Sequence, residues 1–177
     1  MTDTELSSGT PAEAGADYQK TIRVKATPEA LFDAITTTAG LAAWWVPRVT
    51  GSGSKGGDLK MFMGSPEPLV IHVDEAARPA SVRWTVTECA FEPDWVRTHP
   101  TFTITPVDGG ESKLAFRHHG LTSELACFGI CRPSWDHFIA KSLRELVESG
   151  QGHPAGSPAD LAWRAAMRAA TESIGHV

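Results

Sequence analysis

Residues Pro133–Ser149 read PSWDHFIAKSLRELVES and are followed by Gly150. Trp135, Phe138, Ile139, Leu143, Leu146 and Val147 recur at helical spacing, so this segment is predicted as an amphipathic helix. Pro133 suits the first turn, where a missing N–H costs nothing, and Gly150 suits the C-cap. An apolar helix face needs a surface to lie against, and the preceding sequence supplies one. Turn residues there bound short β-like runs, predicted as strands near Asp58–Met63, Leu69–Glu75, Ala80–Thr87, Arg97–Pro106 and Lys113–His119. Asp108-Gly109-Gly110 is a hairpin turn between the last two. Val82, Trp84 and Val86 share one strand face, as do Leu114, Phe116 and His118. A meander of antiparallel strands must be covered on its apolar side, and helix 133–149 is the cover.

Outward from this pair, the chain begins with residues 1–17, which lack any apolar period and read as a disordered acidic tail. Tyr18–Ala26 alternates, with Ile22 and Val24 on one face, and is predicted as the first strand. Thr27-Pro28-Glu29 is a helix start: Thr as N-cap, Pro at the first helical position and an acid in the first turn. Leu31, Phe32 and Ile35 carry that helix to about Thr37, and a second short helix spans Thr38–Ala43, ending at Trp44-Trp45. Gly51–Gly57 (GSGSKGG) reads as a connecting loop. Beyond Gly150, Gln151–Ser157 is a Gly/Pro linker and Ala159–Ser173 a final helix carrying Leu161, Trp163, Ala166 and Met167. The simplest organisation is one α+β domain over 18–155, with a helical extension over 156–177.

Composition narrows the function classes. The 177 residues carry 16 Lys/Arg against 21 Asp/Glu, a net charge of −5, which argues against nucleic-acid and polybasic membrane-surface binding. Asp3, Glu5, Glu13 and Asp17 put most of that charge in the tail, so the domain itself is nearly neutral. The longest uncharged stretch, Ala34 to Pro47, is too short for a membrane span, and the N-terminus shows no secretory signal. Three cysteines (Cys89, Cys127, Cys131) are too few for a disulfide framework and predict a reduced, cytoplasmic setting. Six Trp and seven Phe stand against one Tyr, a skew that suggests interior walls or a pocket.

The order of features resembles the SRPBCC, or START-like, superfamily, and within it the family related to the activator of heat-shock protein 90 ATPase. The resemblance rests on the T-P-E-x-L-F-D-A-I helix (Thr27 to Ile35), L-x-x-W-W (Leu41 to Trp45), the Gly56-Gly57 turn, the Asp108–Gly110 turn, F-R-H-H-G-L (Phe116 to Leu121) and the segment Trp135 to Pro154. It covers roughly residues 18–155 and implies a helix-grip fold: a curved antiparallel sheet wrapped around a long C-terminal helix, with two short helices closing one end. It also implies a cavity between sheet and helix for an apolar or amphipathic molecule. The superfamily contains ligand carriers, stress-response proteins and a few enzymes, and has no shared catalytic motif.

Each chemical candidate has a plainer rival. Trp44, Trp45, Trp84 and Trp135 fit pocket walls, and equally fit ordinary core. His118 follows Leu114 and Phe116 inward, where it would hydrogen-bond a ligand head group, act as a general base, or serve only as a satisfied structural residue; His119 faces the other way. Cys127 and Cys131 match no zinc signature and read as buried thiols. Asp136-His137 is explained by the helix dipole as well as by catalysis. No nucleotide, cofactor, P-loop or metalloprotease motif occurs, so neither cofactor nor metal is expected.

These readings predict a helix-grip domain that binds a small apolar or amphipathic molecule, lined by Trp45, Phe62, Ile71, Trp84, Phe102, Phe116, His118, Trp135 and Phe138. Two rivals stand beside it. One is a co-chaperone-like protein-interaction module without an enclosed pocket. The other is a cavity enzyme of cyclase, hydrolase or dehydratase type using His118. The small-residue face of the last helix reads as intrachain packing or as a homodimer contact.

Overall fold

The computed structural model describes residues 15–175. Its single antiparallel sheet has seven strands, β1 (Asp17–Val24), β2 (Val49–Gly51), β3 (Asp58–Met61), β4 (Leu69–Ala77), β5 (Ser81–Glu88), β6 (His99–Val107) and β7 (Glu111–Thr122). They are ordered β1-β7-β6-β5-β4-β3-β2. Sequence neighbours pair from β2 through β7, as short turns require, and β1 closes the far edge against β7. Helices α1 (Pro28–Thr36) and α2 (Thr38–Trp44) follow β1. Thr27 caps α1 by accepting the Ala30 N–H, and Thr37 caps α2 by accepting the Gly40 N–H. Of the expected tail, residues 1–14 lie outside the described residues. Asp17 opens β1, where its carboxylate accepts from Arg117 (2.8 Å) and from the Gly120 N–H (2.9 Å).

The covering helix starts earlier than its sequence pattern suggests. It comprises α3 (Phe128–His137), a π-helical segment (Phe138–Leu143) and α4 (Arg144–Ser149), closed by Gly150 in the left-handed conformation. Pro133 therefore lies inside the helix, not in its first turn. Upstream of Pro133 the buried face is carried only by Cys127 and Cys131 while Ile130 is exposed, so the amphipathic pattern is weak there although the helix continues. The π segment widens one turn and turns Phe138, Ile139, Ser142 and Leu143 inward together. Ser142 Oγ donates to the Trp44 carbonyl (2.7 Å) and accepts from the His153 N–H (2.7 Å), tying the end of α2 to the long helix and to the linker. The linker leads into α5 (Pro158–Ile174), capped by Ser157.

Two tight backbone approaches fix this end of the fold. A Cβ on Gly152 would stand 2.3 Å from the Ala43 carbonyl oxygen, and one on Gly53 would stand 1.8 Å from that of Thr36. Only hydrogen fits at either place. Gly53→Ala should therefore cost about 1–3 kcal/mol, because backbone must move on both sides. Urea unfolding measures this, and a variant within about 0.5 kcal/mol of wild type would show that the two segments are not held together as described.

Strand alternation delivers most of the core. Val82, Trp84 and Val86 turn inward from β5, Phe102 and Ile104 from β6, and Leu114, Phe116 and His118 from β7. β4 departs from strict alternation: Leu69, Val70 and Ile71 are all buried, and the register with β5 shifts between Val70 and Ile71. β2 has only three residues, at the edge of the sheet in a Gly-rich stretch, and carries no pattern that marks it as a strand. Among the described residues no helix is long and apolar enough to cross a membrane.

Candidate functional site

The interior between sheet and helix is filled by stacked rings. Trp45 packs on Trp44 (5.8 Å, 17°) and on Trp84 (6.0 Å, 5°), and also meets Trp135 (5.0 Å). Trp84 meets Phe102 edge-on (4.7 Å), Phe102 meets Phe116 (4.9 Å), and Phe116 meets Trp135 (4.7 Å). Ile71, Trp84 and Phe102 have no exposed surface, and Phe116 has almost none. These four expected lining residues pack in the core, and none of them lines the open space described next.

The open space lies at one end of this stack. A cavity of about 350 Å³ is walled by Trp45, Trp135 and Phe138 from the expected set. Trp95 and Phe91 also border it, from the turn between β5 and β6, as do Cys127, Ile130, Cys131 and Ser134 from the start of the long helix. Met63, Glu92, Ala155 and Arg164 complete the wall. Trp95 belongs to a single 3-10 turn (Pro93–Trp95) and stacks on Trp135 at 5.8 Å and 9°. Neither alternation nor helical period runs through that turn, so only its aromatic character marked it in the sequence. Ala155 and Arg164 lie in the segment after the long helix, whose packing no local pattern specifies.

Phe62 takes no part in the cavity. The alternation that turns Leu59 and Met61 inward turns Phe62 outward, where the Arg48 guanidinium sits 4.2 Å above its ring. Trp44, too, is a core residue: its indole N–H donates to the Ala34 carbonyl (2.9 Å).

His118 is inward, as its parity predicts, but is fully enclosed and does not reach the cavity. The Trp135 indole N–H donates to His118 Nδ1 (3.1 Å). Indole nitrogen can only donate, so Nδ1 is the acceptor and Nε2 carries the proton. That proton goes to Thr98 Oγ1 (2.7 Å), whose own hydroxyl hydrogen goes to the Trp95 carbonyl (2.6 Å). The chain is closed and every member satisfied. Burial pushes the His118 pKa down to about 3, so the ring stays neutral and its lone pair is occupied. His118 is a structural residue, and the cavity-enzyme reading loses the group it was built on.

The thiols are equally passive. Cys131 accepts the Trp95 indole N–H at 3.3 Å. Burial raises Cys131 to about 12 and Cys89 to about 11, so both remain protonated and weakly nucleophilic. All three cysteines are free.

A curved antiparallel sheet gripping a long helix, with two short helices beside it, defines the helix-grip class. Residues 25–148 match the family described as "Activator of Hsp90 ATPase homolog 1-like protein", and the chain belongs to that family. Among solved structures it is similar to the Aha1 dimer from Colwellia psychrerythraea, with 25% identity, a TM-score of 0.67, and 77% of this chain and 99% of that one covered. Protein MLL2253 from Mesorhizobium loti (20% identity, TM-score 0.60, 73% and 96% covered) shares the fold. So does protein SSP2350 from Staphylococcus saprophyticus (13% identity, TM-score 0.63, 79% and 98% covered). No curated protein matches the chain.

Proposed function

We propose that this protein binds a small apolar or amphipathic molecule in the end cavity bounded by Trp45, Trp95, Trp135 and Phe138. The carrying observation is an apolar void of about 350 Å³, within the size range of small-molecule sites, walled by rings that already stack on one another. Rigid walls need little reordering, so burial of ligand surface is the main gain. A ligand burying about 200 Å² of apolar area gains roughly 5 kcal/mol at 25 cal/mol per Å², which alone supports only submillimolar binding. The domain over 18–155 forms most of the wall, and the extension from 156 contributes Arg164. A reduced, cytoplasmic setting agrees with three free cysteines.

A probe that brightens in apolar surroundings, N-phenyl-1-naphthylamine, tests this. It should bind one-to-one, and Ser134→Phe, which fills the cavity from α3, should weaken it at least about tenfold while the melting temperature stays within a few degrees. Unchanged binding by the filled variant would refute the site. Native mass spectrometry of freshly purified protein reports any co-purifying molecule, and in the same spectrum the homodimer that the relative from Colwellia psychrerythraea suggests.

A second reading, a co-chaperone-like interaction surface, is favoured by the exposure of Ile130 (75%) and Phe91 (46%) at the cavity rim.

A further inference from the structure

The family match ends at residue 148, yet Ala155 and Arg164 lie on the cavity wall. The segment that brings them there is organised around Asp160. This carboxylate is completely buried, the one buried residue of α5. It accepts the Gly156 N–H (2.8 Å) and the Arg164 Nε–H (2.7 Å), and His137 Nε2 lies 3.4 Å from its other oxygen. Trp163 stacks flat on the His137 ring at 4.4 Å and 8°, which seats the first turns of α5 on the long helix. Beyond those turns the helix is largely exposed.

A carboxylate is costly to bury unless it is paired and hydrogen-bonded. Here its pairing sets the direction of a guanidinium. Asp160 engages Arg164 only through Nε, and neither Nη donates a hydrogen bond to any described residue. The fork is thus held by its inner edge, while Arg164 borders both the end cavity and the adjoining groove between α3 and α5. An oriented guanidinium whose outer edge is open to solvent beside an apolar void fits a planar or tetrahedral anion. Glu92 is the other charged side chain on the wall. It is a half-buried acid on a turn.

We infer that the cavity takes an organic anion, a carboxylate or sulfonate on an apolar body, with its head group on the outer edge of Arg164 and its body against the Trp45, Trp95 and Trp135 rings. This rests on the cavity being a binding site, and it names the ligand class and assigns head-group recognition to the C-terminal extension.

Two probes that differ only in charge test it: N-phenyl-1-naphthylamine and the same ring system bearing a sulfonate, 1-anilinonaphthalene-8-sulfonate. Wild type should bind the sulfonate at least about fivefold tighter than the neutral parent. Arg164→Gln, which keeps a donor for Asp160, should bring that ratio to about one. The ratio in wild type should also fall with added salt, a readout that needs no variant. A neutral probe that binds with no sulfonate preference, or a preference that survives Arg164→Gln, overturns the anion assignment and leaves the cavity reading standing. Failure of both probes to bind overturns both.

Discussion

Trp135→Ala is expected to destabilise the protein by about 4–6 kcal/mol, close to the whole stability of an ordinary domain. Truncation removes contacts with Trp45, Trp95 and Phe116 at once and enlarges the void that Trp135 already borders. It also leaves His118 Nδ1, fully enclosed, without its donor. The two losses can be separated in part. Trp135→Phe keeps one six-membered ring but removes the N–H and part of the indole, so it should cost less than the alanine, about 2–4 kcal/mol. Urea unfolding of both variants gives the comparison. If Trp135→Ala cost no more than Trp135→Phe, the aromatic stack would not be the source of stability assigned to it.

The second large effect is on pH. His118 titrates near 6.5 in the unfolded chain, whereas burial lowers it to about 3 in the folded one. Between those values the unfolded state binds a proton that the native state does not. The stabilisation is therefore present in full above about pH 6.5 and is lost as pH falls from there toward 3, at up to about 1.4 kcal/mol per unit. From pH 7 to 4.5 this amounts to roughly 2–3 kcal/mol, before most carboxylates begin to protonate. His137 is lowered by burial too, and adds to the loss with the same sign. His118→Gln retains an amide donor and acceptor but cannot titrate. It should be less stable than wild type at pH 7, with a visibly flatter stability profile between pH 7 and 4.5. Equal slopes would show that the ring is not buried neutral. An NMR titration gives an independent check, because the His118 ring resonances should not move above about pH 4.5.

Much of the fold was legible because its signals are local. Thr27-Pro28-Glu29 starts α1 through a cap and a fixed proline φ, properties of three adjacent residues. The face shared by Leu114, Phe116 and His118 follows from strand geometry alone. The same rule turns Phe62 outward once Leu59 and Met61 are inward, so its placement on the wall contradicted a parity already available. The earlier start of the long helix and its π segment were less accessible: a proline and a locally widened turn both interrupt the period on which helix reading depends.

The amino-acid sequence by itself determined the class of fold and most of the inward set of side chains. It did so through caps, alternation and amphipathic spacing, which depend only on near neighbours along the chain. Tertiary structure alone decided which inward rings fill the core and which border space. Trp84 and Trp135 are indistinguishable by pattern, yet one is plugged by Trp45 and Phe102 while the other faces the void. Whether a gap remains beside a ring is set by what the opposite wall brings to it. Here that wall includes Trp95 from an irregular turn and Arg164 from a helix beyond the domain, each placed by contacts distant in sequence.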